Sequence, residues 1–410
     1  MRYWDAVFAF LVATAVAALL TPLAGRLARR IGAIAYPSDR GLARNPTPEL
    51  GGLAILAGVV LAAVLWVPNT IPLERAHGEL SAGVVHTWVV IGGAVLIAGI
   101  GAVDDAIDLK PLLKLIGQIG AAIVATAGGA VIKGLTLPFV GYLSFPDGGK
   151  ELTVIWLVAL MNIVNFSDGV DGLAAGVCAI DGGAFAVIAF NLQGATSSAA
   201  VLAAITSGAA LGFLFHNRYP AKIFMGDTGS NLLGYLLGVV AVIGSLKTNA
   251  AIALAVPLLV LAVPFMDTGF VVAKRLKYRR KPWKADAEHF HHRMARIGFS
   301  EVKTVAYLYL WTLMLAGVAI SLQFVPYKNH KAPGHYHLGW SLVMAAILLI
   351  AAAASVYLVY VLEIFKFKIL KGIQLRRVDP DTSEHDIVEA VERDIETGEF
   401  EAVKVPEPHE

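Results

Sequence analysis

Six aspartates are the residues of this sequence whose type and spacing best suit chemistry. They are Asp104, Asp105, Asp108, Asp168, Asp171 and Asp227. All stand in Gly- and Asn-rich breaks between apolar segments, where a charge is costly and usually has a function. A basic motif, His289-Phe-His-His-Arg293, follows further along the chain. Carboxylates that converge beside basic side chains predict a metal-dependent site for a phosphorylated substrate.

The composition is that of a membrane protein. Of the 410 residues, 57% are hydrophobic and 16% are charged, which is far from a soluble globular average. The net charge of +2 does not indicate a nucleic-acid partner, and we expect none. The single cysteine, Cys178, lies inside an apolar run, which excludes an internal disulfide and a cysteine-based metal site.

Eleven segments are long and apolar enough to approach the roughly 20 residues that cross a bilayer. They lie near 4–25, 52–68, 86–103, 112–132, 152–165, 172–192, 197–215, 231–246, 250–273, 303–325 and 338–365. The sequence therefore predicts an all-α integral membrane protein with about eleven transmembrane helices in residues 1–365.

The distribution of basic residues predicts the orientation. If the N-terminus lies outside, the inner loops and the tail hold 26 of the 33 Lys and Arg residues. The positive-inside rule expects such an excess. The predicted topology is N-out and C-in, in a bacterial inner membrane, with every polar motif named above on the cytoplasmic face.

Two segments depart from the helical pattern. Residues 133–150 alternate weakly between apolar and polar side chains and predict a short β-hairpin on the outer side. Residues 366–410 predict a charged cytoplasmic tail. Within it, 383–397 has the pattern of a short amphipathic helix, with Ser383 and Asp386 placed as a capping box.

The acidic motif at the end of the third segment combines three carboxylates in five residues. In a helix Asp104 and Asp108 would lie one turn apart on one face and would repel each other. A divalent cation, or a nearby Lys110 or Lys114, would relieve that repulsion. The alternative is a solvated, charged helix end.

The remaining polar breaks each have a functional and an ordinary interpretation. Asn162, Asn165, Asp168 and Asp171 offer hydrogen-bonding groups beside glycines, or they form a turn with capping aspartates. Asp227 stands between glycines just before a predicted helix, where it is well placed to hold Mg²⁺ or simply to cap the helix.

Two basic motifs complete the set. The histidines of the 289–293 motif could bind zinc, but no Cys or further ligand stands nearby, and His with Arg293 suits phosphoryl oxygens better. Arg44 lies in a Pro-rich segment that leads to Gly51 and Gly52, which is either part of the site or an ordinary turn before a helix.

Taken in this order, the motifs resemble those of the polyprenyl-phosphate N-acetylhexosamine-1-phosphate transferases, over about residues 40–300. Two details resemble the N-acetylglucosaminyl branch. Asp108 stands where the muramoyl-pentapeptide branch carries Lys, and the sequence His-Phe-His-His-Arg stands where that branch has three consecutive histidines.

The resemblance implies roles for particular residues. The implied catalytic residues are Asp104, Asp105, Asp108, His291, His292 and Arg293. The implied substrate-binding residues are Arg44, Asn162, Asn165, Asp168, Asp171, Asn217, Phe224 and His289. Asp227 would ligate Mg²⁺, for which Mn²⁺ can substitute, and Phe224 would stack on uracil. Asp104 and Asp105 would position or deprotonate a lipid phosphate.

The activity implied is transfer of N-acetylglucosamine 1-phosphate from UDP-N-acetylglucosamine to undecaprenyl phosphate, which releases UMP and starts a lipid-linked cell-envelope glycan. Other UDP-N-acetylhexosamines suit the same motifs. Implied partners are the UDP-sugar, the polyprenyl phosphate, membrane lipid and a second copy of the chain. A secondary transporter is the alternative from another class, since intramembrane acids and broken helices also mark ion pathways.

Overall fold

The computed structural model describes most of the apolar part of the chain. It covers residues 3–36, 46–72, 84–132, 134–137, 141–145, 148–193, 198–245, 300–325 and 337–360, with separate positions of the tail between 372 and 390. The helices are α1 (Tyr3–Ile31), α2 (Gly51–Trp66), α3 (Thr87–Ile107), α4 (Pro111–Ala127), α5 (Gly149–Ser167), α6 (Leu173–Gln193), α7 (Ser198–Asn217), α8 (Gly226–Ser245), α9 (Glu301–Phe324) and α10 (Leu338–Tyr360). The strands are β1 (Ile34–Ala35), β2 (Thr47–Pro48), β3 (Thr70–Pro72), β4 (Val84–His86), β5 (Gly134–Leu137) and β6 (Gly141–Ser144).

The prediction of an all-α integral membrane protein is confirmed. Eight of the described helices are long and apolar enough to cross a membrane, and α2 and α4 are shorter apolar helices. Ten of the eleven predicted segments coincide with described helices. The remaining segment, 250–273, lies outside the described residues.

Several helices extend beyond their predicted segments, and at α8 this moves a polar motif residue from a break into a helical turn. Helix α5 ends at Ser167, so Asn162 and Asn165 lie in its last turns, at the end of the predicted segment. Helix α8 begins at Gly226, so Asp227, which was predicted to stand before this helix, lies in its first turn. The helices continue because these side chains find hydrogen-bond partners on neighbouring helices. A negative side chain also suits the first turn of a helix.

The short strands pair in three antiparallel ribbons. The predicted hairpin at 133–150 is confirmed as β5 paired with β6. The ribbons β1–β2 and β3–β4 were not predicted, because strands of two or three residues leave no periodicity to detect. In the tail, the capping box is confirmed, since Ser383 Oγ donates to Asp386 Oδ2 at 2.6 Å and Asp386 N donates to Ser383 Oγ at 3.2 Å.

Helix α8 is the centre of the packing, with α2, α3, α5, α6 and α7 around it. Its side chains Leu232, Tyr235 and Leu236 are fully buried, and the Tyr235 hydroxyl donates to the Val90 carbonyl oxygen of α3 at 2.8 Å. Because successive helices alternate in direction, the first turn of α8 lies beside the last turns of α3 and α5 and the first turns of α2 and α4.

Glycine allows the helices around this end of α8 to come unusually close. A Cβ at Gly101 of α3 would lie 2.5 Å from the backbone N and Cα of Thr228, and a Cβ at Gly52 of α2 would lie 2.2 Å from the backbone N of Gly229. Backbone atoms cannot give way as a flexible side chain can. These contacts therefore fix the distance between the acidic motif of α3 and Asp227.

We expect Gly101→Ala to destabilise the protein, because the added methyl group must push α3 away from the start of α8. Overpacking of this kind costs about 1–3 kcal/mol. Thermal unfolding in detergent measures it, with Gly99→Ala on the same helix as the matched control, since a Cβ at Gly99 meets nothing within 4 Å. Equal melting temperatures for the two variants would contradict the close packing of α3 on α8.

Candidate active site

Three of the predicted aspartates converge at the start of α8. Asp104 and Asp105, near the end of α3, and Asp227, in the first turn of α8, each offer a carboxylate oxygen within 4.8 Å of the other two. Among the described residues this trio is the group of acidic or histidine side chains that could hold a metal ion. Oxygen donors of this kind suit a divalent cation such as Mg²⁺.

Lys114 joins two members of the trio. Its Nζ lies 2.6 Å from Asp104 Oδ2 and 3.3 Å from Asp227 Oδ2. Helix α4 starts at Pro111, directly after the turn that ends α3, so its first turn faces back toward the acidic motif. Of the two lysines that the sequence analysis considered as partners of the acidic motif, Lys114 forms the ion pairs and Lys110 is exposed.

Asp105 holds the first turn of α8. Its carboxylate accepts hydrogen bonds from Asp227 N at 2.7 Å, Thr228 N at 3.1 Å and Thr228 Oγ1 at 2.6 Å. It thus acts as a cap that α3 supplies to α8, with its negative charge at the positive end of the helix dipole. Gly226, at φ 67°, lets the chain turn against this carboxylate, where a Cβ would clash.

Asn165 fixes the Asp227 side chain from the other side. Its Nδ2 donates to Asp227 Oδ1 at 2.8 Å and to Ser230 Oγ at 2.9 Å. Asp227 therefore has one oxygen held by Asn165 and the other facing Lys114. The structure places Asn165 directly at the acidic trio, as the sequence predicted for a site residue.

A buried amide network supports this arrangement one turn deeper. Asn162 Nδ2 donates to Gln118 Oε1 at 2.8 Å, Gln118 Nε2 donates to Asn231 Oδ1 at 2.8 Å, and Asn231 Nδ2 donates to the Asp227 carbonyl at 2.9 Å. Asn162 thus acts on Asp227 through two other amides. Sequence reasoning missed Gln118 and Asn231, although a polar amide within an apolar helix was the available signal.

Two of the predicted substrate-binding residues, Asp171 and Asn217, lie where two loops join. Asp171 Oδ2 accepts from Ala221 N at 2.8 Å, while Asn217 Oδ1 accepts from Gly172 N at 3.0 Å and its Nδ2 donates to the Ile223 carbonyl at 2.9 Å. Asn217 is buried, so in this structure its amide shapes the 217–224 loop. Burial raises the pKa of Asp171, against the lowering effect of its hydrogen bond from Ala221.

Asp168 and Phe224 border the same region. Burial raises the pKa of Asp168 well above its usual range, and the charges of Asp227 and Asp105 add to the effect. The Phe224 side chain is half-buried, and its backbone is bonded on both sides, to the Pro48 carbonyl oxygen and the Gly51 amide. A partly exposed aromatic ring on a fixed backbone is suited to stacking.

Glu49 is a fourth carboxylate near the trio that sequence reasoning missed. It follows β2 and is half-buried. Burial, together with the charges of Asp105, Asp227 and Asp104, raises its pKa to about 7 against the lowering effect of Lys114. The segment containing it was identified in the sequence, but a single Glu in a Pro-rich turn gave no sign that it would face the aspartates.

The other predicted residues separate into two groups. Asp108 ends α3 in a left-handed conformation, with φ 51°, and is exposed, so it lies outside the trio and does not share a helical face with Asp104. This corrects the expected helical pairing of Asp104 with Asp108. Residues Arg44, His289, His291, His292 and Arg293 lie outside the described residues, and their roles stay predictions.

We expect Asp105→Asn to lower the melting temperature, because an amide cannot accept all three hydrogen bonds that the carboxylate accepts from α8. The loss of bonds to a charged acceptor costs about 2 kcal/mol. Asp108→Asn is the matched control, since it makes the same change three residues later at an exposed position that Asn tolerates. An Asp105→Asn variant as stable as Asp108→Asn would exclude the capping role.

We expect Glu49→Gln to stabilise the metal-free protein, and more so at pH 8 than at pH 5. With a pKa of about 7 when folded and 4.5 when unfolded, Glu49 makes stability fall as pH rises through this window. Because Gln does not ionise, the variant avoids this loss of stability, which amounts to about 1–2 kcal/mol between pH 5 and pH 8. Unfolding in EDTA measures it, with Glu151→Gln as the control. A pH-independent difference would contradict the raised pKa.

Residues 87–245 match the model of glycosyl transferase family 4, a stretch that contains Asp104, Lys114, Asn165 and Asp227. The chain is 33% identical to a probable undecaprenyl-phosphate N-acetylglucosaminyl 1-phosphate transferase of Bacillus subtilis (strain 168), over 77% of the chain and 85% of that protein.

Two further relatives represent the N-acetylglucosaminyl branch and the muramoyl-pentapeptide branch. A decaprenyl-phosphate N-acetylglucosaminephosphotransferase of Mycolicibacterium smegmatis is 37% identical, over 75% of this chain and 80% of its own length. A phospho-N-acetylmuramoyl-pentapeptide-transferase of Desulforamulus reducens is 32% identical, over 76% and 92%. The predicted resemblance to the N-acetylglucosaminyl branch is confirmed. The chain belongs to the polyprenyl-phosphate N-acetylhexosamine-1-phosphate transferase family and is a multi-pass membrane glycosyl-1-phosphate transferase.

Proposed function

We propose that this enzyme transfers N-acetylglucosamine 1-phosphate from UDP-N-acetylglucosamine to undecaprenyl phosphate. An oxygen of the lipid phosphate attacks the sugar-bearing phosphorus, the bond from that phosphorus to the bridging oxygen breaks, and UMP leaves. The product is undecaprenyl pyrophosphoryl-N-acetylglucosamine, the start of a lipid-linked cell-envelope glycan. The names of the relatives from Bacillus and Mycolicibacterium support this choice of sugar.

The observation that carries the proposal is the trio of Asp104, Asp105 and Asp227 with Lys114 between two of its members. Phosphoryl transfer needs chiefly alignment and neutralisation of charge. Three carboxylates alone would repel a diphosphate and a lipid phosphate. The site suits these substrates once a divalent cation binds, and Mg²⁺ fits because all three aspartates offer oxygen.

When bound, Mg²⁺ would neutralise phosphate oxygens and hold them in place. The residues of the chain then have separate tasks. Lys114 offers an ammonium group between two carboxylates, and Asn165 fixes the orientation of Asp227. We assign Asp104 a positioning role, because a lipid phosphate is already largely ionised and both Asp104 oxygens are engaged, by Leu109 N at 2.8 Å and by Lys114.

We place the nucleoside beside Phe224, which would stack on uracil, with Asn217 and Asp171 nearby, and the diphosphate beside Asn165 and Asp168. The half-buried ring and the tie between the two loops support this placement. Arg44 would approach the nucleotide. The His/Arg segment, His289 with His291, His292 and Arg293, would offset charge on the sugar phosphate, as the resemblance implies.

The lipid substrate would reach the site along α3 and α4. The side chains of Ile107, Leu112 and Ile116 are 68%, 66% and 56% exposed, which suits contact with acyl or prenyl chains close to Lys114. We place the site on the cytoplasmic face, because it lies at the same helix ends as the basic cluster Arg26–Arg30 of α1. A homodimer, as the resemblance implies, belongs to the same proposal.

The acids gather at one end of the helices, which favours a transferase over an ion pathway that would cross the membrane. Other UDP-N-acetylhexosamines remain alternative donors. They call for a direct comparison of donors, since His289, His291, His292 and Arg293, which the resemblance assigns to the sugar phosphate, lie outside the described residues.

We expect purified protein in detergent to release UMP from UDP-N-acetylglucosamine with undecaprenyl phosphate and Mg²⁺, and to form the lipid product seen by mass spectrometry. EDTA should stop the reaction, and Asp227→Asn should slow it by about 100-fold or more, because the cation supplies several kcal/mol of charge stabilisation. Glu151→Gln, far from the site, should behave as wild type.

Parallel assays use other UDP-N-acetylhexosamines and decaprenyl phosphate. If turnover is faster with another donor or acceptor, that compound takes the place of UDP-N-acetylglucosamine or of undecaprenyl phosphate in the proposal. Folded protein that releases no UMP from any UDP-sugar would overturn it.

A further inference from the structure

Glu49 stands on a segment that is fixed against the start of α8. The Pro48 carbonyl oxygen accepts from Phe224 N at 2.9 Å, and Gly51 N and Gly52 N donate to the carbonyl oxygens of Phe224 and Met225, both at 3.0 Å. These bonds enclose Glu49 on both sides along the chain. The residues they reach lead directly into Gly226 and Asp227, so the backbone of Glu49 has a set position relative to the acidic trio.

The oxygens of the trio already accept hydrogen bonds from the protein. Asp104 accepts from Leu109 N and Lys114, and Asp227 accepts from Asn165 and Lys114. Both Asp105 oxygens accept from the first turn of α8. The lone pairs that these oxygens still have free would serve a cation bound between the three aspartates.

Glu49 differs from the trio in this respect. Within the described part of the chain, no hydrogen bond or ion pair engages its carboxyl group, although the group is half-buried. The backbone bonds to Phe224 and Met225, which directly precede Gly226 and Asp227, put Glu49 beside the trio. Its electrostatic interactions with Asp105, Asp227 and Asp104 agree with that position. A half-buried carboxylate whose oxygens no described residue engages is available to accept hydrogen bonds from groups that a ligand brings.

A Mg²⁺ ion brings such groups. It requires near-octahedral coordination by six ligands and usually keeps several water molecules, whose O–H groups need acceptors. One oxygen from each aspartate leaves positions for water and for substrate phosphate. Outer carboxylates that hold metal-bound water raise metal affinity, and their loss typically costs 10–100-fold.

We propose that Glu49 is a positioning residue of the metal site, which accepts hydrogen bonds from water molecules on the divalent cation without ligating the cation itself. This inference rests on the proposed metal site at Asp104, Asp105 and Asp227. Direct ligation is disfavoured by geometry, because the group of carboxylate oxygens within 4.8 Å of one another comprises the three aspartates and not Glu49.

The test measures Mn²⁺ binding to the full-length protein in detergent, by the electron paramagnetic resonance signal of free Mn²⁺. We expect Glu49→Gln to weaken binding by about 10-fold or more. Glu49→Asp, which keeps the charge on a shorter side chain, should recover part of the loss. Glu151→Gln, the same change in the first turn of α5, should bind as wild type. Thermal unfolding in EDTA confirms that each variant is folded.

The number of waters on bound Mn²⁺, counted with ¹⁷O-labelled water, separates the outer role from ligation. We expect the same count in wild type and Glu49→Gln. One additional water in the variant would show that Glu49 is a ligand and overturn the proposal.

The remaining outcomes distinguish this inference from the metal site on which it rests. If Glu49→Gln binds as wild type while Asp227→Asn loses binding, the role of Glu49 is overturned and the metal site stands. If wild type binds no Mn²⁺, both fail.

Discussion

The three hydrogen bonds that Asp105 accepts from Asp227 N, Thr228 N and Thr228 Oγ1 are the contact on which the rest of the site depends. A carboxylate on one helix satisfies the unpaired amides at the start of another and places a negative charge at the positive end of its dipole. These hydrogen bonds fix the residue at which α8 begins, and hence the position of Asp227. Without it, the amides would require water or another cap in a crowded interior. An aspartate that sequence patterns assign to catalysis therefore has a structural task as well.

The close approach that this contact requires is provided by glycine and supported by buried amides. Gly101 and Gly52 bring α3 and α2 against the backbone of α8, so no side chain keeps the helices apart. The network of Asn162, Gln118 and Asn231 then joins α4, α5 and α8 one turn below the carboxylates. Each amide in it is satisfied by another, which makes a polar chain tolerable at this depth and resists relative sliding of the helices.

Negative charge exceeds positive charge among the described side chains of the site. Asp104, Asp105, Asp227 and Glu49 share a small region with one described cationic side chain, Lys114. The folding energy of the surrounding helices maintains that imbalance, because packing and capping hold the carboxylates in place against their repulsion. A site with a surplus of fixed negative charge is prepared for a cation, and phosphates can enter with it. Among the described residues no hydrogen bond or ion pair neutralises the Glu49 carboxyl group, and its burial near the trio adds to this imbalance.

The sequence by itself determined the membrane class, ten of the described helices, the hairpin of β5 and β6 and the family, because apolar length and motif order are local signals. It also singled out Asp104, Asp105, Asp227 and Asn165 as candidate site residues. Tertiary structure decided which of these meet and what each does. Asp108 stood in the same motif as Asp104 but turned outward when α3 ended, and Lys114 was chosen over Lys110 by the direction of α4. Glu49, Gln118 and Asn231 could not be found from spacing, because their roles arise where separate helices pack together, and no local pattern encodes that distance.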